Sequence, residues 1–137
     1  MKGLQSLIRV HQWKLDEKRR ELSDMETMHA EFKAQLAQLA EAQLQEQQIA
    51  AENPAISFSY ANFAAANRQR QENLEGSLRE IEAQIDILKD EVAFCFQELK
   101  KYEIAVDTRL KKKKYEQQRV EQTEIDDLAI DMFRRRG

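Results

Sequence analysis

Apolar residues recur through residues 74–106 at Leu74, Leu78, Ile81, Ile85, Leu88, Val92, Cys95, Leu99, Tyr102 and Val106. The steps alternate four and three. Their mean of 3.5 residues is the period of a helix that buries a narrow seam against another helix. A second stripe with the same alternation occupies the first half: Leu4, Ile8, His11, Leu15, Lys18, Leu22, Met25, His29, Phe32, Leu36 and Leu39. Continuing that register beyond Leu39 gives Gln43, Glu46 and Ala50, whereas Leu44 and Ile49 lie off it. The seam is therefore expected to weaken there, and the stripe to drift.

One segment interrupts the pattern: Asn53-Pro54-Ala55-Ile56-Ser57-Phe58-Ser59. Pro54 disfavours helical geometry at Asn53 and has no donor for a helix interior. Ser57 or Ser59 can cap a following helix. The pattern predicts helix 1 over about residues 3–51, a turn over about 52–57, and helix 2 over about 58–134. Folded back at the turn, the two stripes match under a single offset: Leu36 faces Leu74, Leu22 faces Leu88, and Leu4 faces Val106. That offset puts the turn at Ala55, beside the proline. Two separately read features agree, which favours an intramolecular hairpin over a parallel dimer.

The expected fold is all-α: a two-helix antiparallel coiled-coil hairpin with a C-terminal helical overhang. It forms a single elongated domain over residues 1–137. Beyond about residue 110, helix 2 has no partner in helix 1. The overhang carries Val120, Ile125, Leu128 and Met132 at helical spacing. An amphipathic helix without an internal partner points to an external one.

Composition supports this picture. Charged residues make up 34% of the chain, with only three Gly and one Pro to build turns. Cys95 is the only cysteine, so no internal disulfide can form. Its place on the seam suits a small packing residue. Residues 1–10 hold no apolar run long enough for a signal peptide or a membrane span, and a cytoplasmic protein is expected.

Charge adds polarity. Residues 1–20 carry six basic and two acidic side chains, and residues 100–120 carry eight and three. Residues 21–99 carry five and fifteen. In a hairpin the two basic ends meet and form one basic pole.

Catalytic constellations are missing from the pattern. His11 and His29 lie on the seam without metal-ligand spacing, and polar seam residues that set register are the better reading. No phosphate loop, nucleophile elbow or His-Glu-x-x-His motif occurs. Pairs such as Glu80 with Glu82, or Asp126 with Asp127, read as solvated helix faces. Two helices offer no pocket that excludes water. No enzyme, cofactor, metal or small-molecule substrate is expected. Gly76 falls on the outer side of helix 2, as a local hinge or as drift. The run Lys111, Lys112, Lys113 and Lys114 raises nucleic acid as a partner. Only Tyr102 and Tyr115 lie near it, and no recognition motif accompanies it. A solvated basic face or an acidic protein partner is favoured. At the turn, Phe58, Tyr60 and Phe63 crowd the start of helix 2. They can dock a partner or pack over the turn.

Several segments look like the FliJ proteins of the flagellar type III export apparatus. They are Leu4-Gln5-Ser6-Leu7-Ile8-Arg9-Val10, Tyr60-Ala61-Asn62-Phe63, Gln97-Glu98-Leu99-Lys100-Lys101-Tyr102-Glu103 and Glu124-Ile125-Asp126-Asp127-Leu128. The resemblance runs over nearly the whole length. It implies an antiparallel coiled coil similar to the central stalk of rotary ATPases. Such a stalk inserts the end bearing both termini into the hexameric export ATPase ring (FliI). It promotes ring assembly, connects the ring to the export gate protein FlhA, and in some members handles export chaperones. The resemblance implies a cytoplasmic place at the inner-membrane export apparatus, without membrane insertion. Mapped onto this chain, the ATPase contacts would be Arg9, Lys14, Arg19, Arg20, Lys101, Arg109, Lys111, Lys112, Lys113 and Lys114. Ile125, Leu128 and Met132 would form the partner-binding overhang. Phe58, Tyr60 and Phe63 would face the gate. A stalk of a virulence type III secretion system and a generic coiled-coil scaffold remain as alternative readings.

Overall fold

The computed structural model describes residues 2–53, 55 and 57–136. Two helices account for nearly all of them: α1 over Lys2–Glu52 and α2 over Ser57–Arg136. The expected limits were about 3–51 and 58–134. Strong helix formers fill both segments, and each helix has one apolar stripe that needs a partner. The helices pack against each other, giving an all-α helical hairpin.

The described residues fall into two compact units. A middle unit holds Asp16–Phe94, and a terminal unit holds Met1–Leu15 with Cys95–Gly137. In the middle unit the core is Leu78, Ile81 and Leu88 from α2. The half-buried Leu22, Met25, His29, Phe32, Leu36 and Leu39 of α1 flank them. Contacts across this pair descend along α2 as they climb α1: Lys18 Nζ lies 2.7 Å from Glu91, His29 Nε2 3.0 Å from Glu82, and Asn67 donates to Gln43. The helices are thus antiparallel, in the register set by the two stripes. Glu82 is not a purely solvated carboxylate, because it holds the seam histidine.

In the terminal unit Leu15 and Leu99 are buried, and Leu4, Ile8, Cys95, Tyr102 and Val106 are half-buried. His11 stacks on Tyr102, with ring centroids 4.6 Å apart and planes 23° from parallel.

The expected drift beyond Leu39 does not occur. Gln43, Glu46 and Ala50 stay half-buried on the original register, while Leu44 and Ile49 are exposed. The α2 seam likewise continues on the N-terminal side of Leu74 through Gln71, Asn67, Ala64 and Tyr60. Asn67 is buried, at 3% exposure. Its amide donates to the Leu39 carbonyl at 2.9 Å and to Gln43 Oε1 at 3.1 Å, and Gln71 reaches the same Gln43 oxygen at 3.5 Å. Polar residues carry the register where the apolar pattern fades.

At the end of α1 the Asn53 amide donates to the Ile49 carbonyl at 3.1 Å. The Asn53 side-chain oxygen accepts from the Ala55 amide at 3.3 Å, an Asx turn that starts the reversal. Pro54, the expected helix breaker, and the side chain of Ser57, one of the two expected caps, lie outside the described residues. At Gly76 α2 runs on unbroken. A methyl group there would meet only Arg79 Nη2, at 3.8 Å.

Candidate functional site

The α1 helix begins at Lys2, and the seam register places residue 108 of α2 opposite it. Burial ends where that arithmetic says it must. Val106 is the last half-buried residue, and every residue over 107–136 is exposed. This stretch stays helical through Arg136 without another helix of the unit against it. Its last turn carries Arg134, Arg135 and Arg136, whose charge complements the negative end of the helix dipole. Local pairs hold parts of it: Lys111 with Asp107 at 3.1 Å, Arg135 with Asp131 at 3.4 Å, and Gln122 with Asp126 at 3.0 Å.

The basic residues distribute over both units. Arg9 and Lys14 on α1, with Lys101, Arg109, Lys111, Lys112, Lys113 and Lys114 on α2, belong to the terminal unit, and all are exposed. Arg19 and Arg20 belong to the middle unit and are exposed as well. Arg20 is paired with Glu17 of its own helix at 2.6 Å, and the Lys101 ammonium sits 6.0 Å from the Tyr102 ring centre. Exposed pairs of this kind hold side chains only weakly, so the cations stay available to a partner.

Of the three overhang positions singled out, Ile125, Leu128 and Met132 are all exposed, as are Val120, Ile130 and Phe133. At the other end of α2, Phe58 is 81% exposed, while Tyr60 and Phe63 are half-buried. Trp13, Phe94 and Ile104 are also largely exposed and were not singled out from sequence.

Polar chemistry inside the seam is modest. Lys18, one-third exposed, bonds Glu91 at 2.7 Å and Glu21 at 3.5 Å. The Glu91 hydrogen bond raises its ammonium above the ordinary value of 10.5; desolvation opposes it, and the charges of Glu21 and Glu91 add to the rise. Among the described residues no group of three His, Cys, Asp or Glu side chains is placed to hold a metal ion. Nor is any helix of these residues long and apolar enough to cross a membrane.

A helical hairpin that leaves a long charged helix without an internal partner is an assembly component, built to be completed by another protein. The family comparison specifies which assembly. The model of the Flagellar FliJ protein matches residues 1–137, and the chain belongs to that family. It is a component of the flagellar type III export apparatus, and the family is a non-catalytic one. Neither a curated protein nor a solved structure matches the chain.

Proposed function

We propose that the chain is the stalk of the export ATPase. Residues 107–136, with the helix pair that carries them, enter the ATPase ring (FliI) and promote its assembly and activity. The observation that carries this reading is the exposed helix running on past the start of α1. Its lysine run, Lys111, Lys112, Lys113 and Lys114, suits a ring pore lined by acidic groups. Arg9, Lys14, Lys101 and Arg109 extend that surface within the terminal unit, and Arg19 and Arg20 of the middle unit are further ATPase contacts by their charge. Ile125, Leu128 and Met132 supply apolar contacts to the ring. The exposed Phe58, with Tyr60 and Phe63, faces the gate protein FlhA, and export chaperones are further clients. The match over the whole chain to the flagellar family favours this over a virulence-system stalk.

The test is ATPase stimulation. Adding the chain to its cognate ATPase should raise hydrolysis. Reversing Lys111, Lys112, Lys113 and Lys114 together to Glu should abolish the rise while leaving the hairpin folded by circular dichroism. Stimulation that survives the reversal overturns the basic-surface assignment.

A further inference from the structure

Along residues 107–136 the apolar face is not a continuation of the seam. Leu110, Lys114, Gln117, Glu121, Ile125, Leu128 and Met132 share one face of α2, apolar at Leu110, Ile125, Leu128 and Met132 and polar between them. Arg109, Lys113, Glu124 and Asp127 line one flank of that face. All are exposed, and none of these four charges takes an ion pair among the described residues. The two basic groups lie at one end of the stretch, and the two acidic groups lie at the other. A helix with that layout is complementary to an inverted copy of itself.

We propose that, in the free protein, the overhang is covered by the overhang of a second copy of this chain, paired antiparallel about a two-fold axis level with Arg119. Under that symmetry Leu110 lies level with the partner's Leu128, Lys113 with the partner's Ile125, and Gln117 with the partner's Glu121. The interface is isologous, so every contact occurs twice, and each flank meets its own copy. Arg109 and Lys113 then face the partner's Asp127 and Glu124, and the acidic pair faces the partner's basic pair in return. A parallel pairing sets lysine against lysine and is disfavoured by the same charges. Four ion pairs around a few apolar contacts make a weak, salt-sensitive dimer rather than a permanent one. The pairing uses the segment assigned above to the ATPase ring. Resting on that reading, dimerisation and ring entry exclude one another, and the dimer is the unengaged form.

Mass measurement by sedimentation of the full chain, without the ATPase, tests the pairing independently of the stalk reading. From about 1 µM to about 200 µM protein at low salt, the mass should rise from that of one 16.1 kDa chain towards twice that value. Two charge-swapped chains sharpen the result. Arg109→Glu with Lys113→Glu makes the flank wholly acidic, and Glu124→Lys with Asp127→Lys makes it wholly basic. Each alone should self-associate at least about tenfold more weakly than the parent. An equal mixture should recover parental association, because each flank then meets its opposite. Leu128→Asp should leave the chain monomeric. A parent chain that stays monomeric across the range overturns the proposal. So does a swapped chain that dimerises alone, a mixture that fails to associate, or a dimer that survives Leu128→Asp.

Discussion

Two stretches of α2 show opposite uses of the same helix. Over residues 74–106 the positions that face α1 are Leu, Ile, Val, Cys and Tyr, and they are buried or half-buried. Continuing the alternation of four and three from Val106 gives Arg109, Lys113, Glu116, Val120, Thr123 and Asp127, mostly polar and all exposed. The apolar residues do not vanish beyond Val106. They move to a different face, at Leu110, Ile125, Leu128 and Met132. Apolar residues fall from 17 of 33 over residues 74–106 to nine of 30 over residues 107–136, and most of those that remain leave the seam register. A seam is thus specified by register together with hydrophobic content, and both end where the pairing with α1 ends.

The largest expected difference between the stretches is in stability. Leu88 is 3% exposed in the middle unit, whereas Leu128 is 61% exposed. Leu88→Ala removes buried methyl groups between facing helices and should cost about 3 kcal/mol in denaturant unfolding. Leu128→Ala should stay within about 0.5 kcal/mol at concentrations where the chain is a monomer, because nothing in the terminal unit packs on it. Equal losses at the two positions would mean that the overhang is folded against something, and the comparison would collapse.

A smaller effect separates apolar from polar layers within the seam. Asn67 satisfies its amide on the Leu39 carbonyl and Gln43, so the layer is paired rather than strained. A buried Asn in a coiled coil trades stability for register. Asn67→Leu should therefore raise stability by about 1 kcal/mol and broaden the register, read as extra amide signals near Gln43 in an NMR spectrum. A destabilised variant with a single set of signals would assign the layer to plain packing.

The legibility of the molecule follows the same division. The seam could be read because apolar residues alternate over ten consecutive positions on α2, and the α1 stripe keeps the same alternation with only His11, Lys18 and His29 polar. The overhang could be read from arithmetic alone, since the first residue of α1 sets where burial must stop. The Gln43–Asn67–Gln71 layer could not be read, because polar side chains carry no hydrophobic period. Leu44 and Ile49 pointed instead to a drift that the structure does not have. The contact of His29 with Glu82 was hidden for a related reason: a carboxylate one position off the seam looks solvated until the facing helix is placed. Of the candidate partner-binding residues, the charges and Phe58 are exposed while Tyr60 and Phe63 are half-buried, and exposure alone does not say what covers them.

The finest comparison is between two lysines at related positions, Lys18 within the seam and Lys113 on its continuation. Lys113 makes no ion pair among the described residues, whereas Lys18 sits 2.7 Å from Glu91 across the helix pair. The Glu91 bond raises the Lys18 ammonium above its ordinary value, so folding favours the protonated form. A group whose value is raised on folding contributes fully below its unfolded value, and the contribution fades as pH climbs through the folded one. The stability difference between the parent and Lys18→Met should therefore be flat through neutral pH and shrink only above 10.5. A Lys18 difference that disappears near neutral pH would remove the lysine from the seam's account.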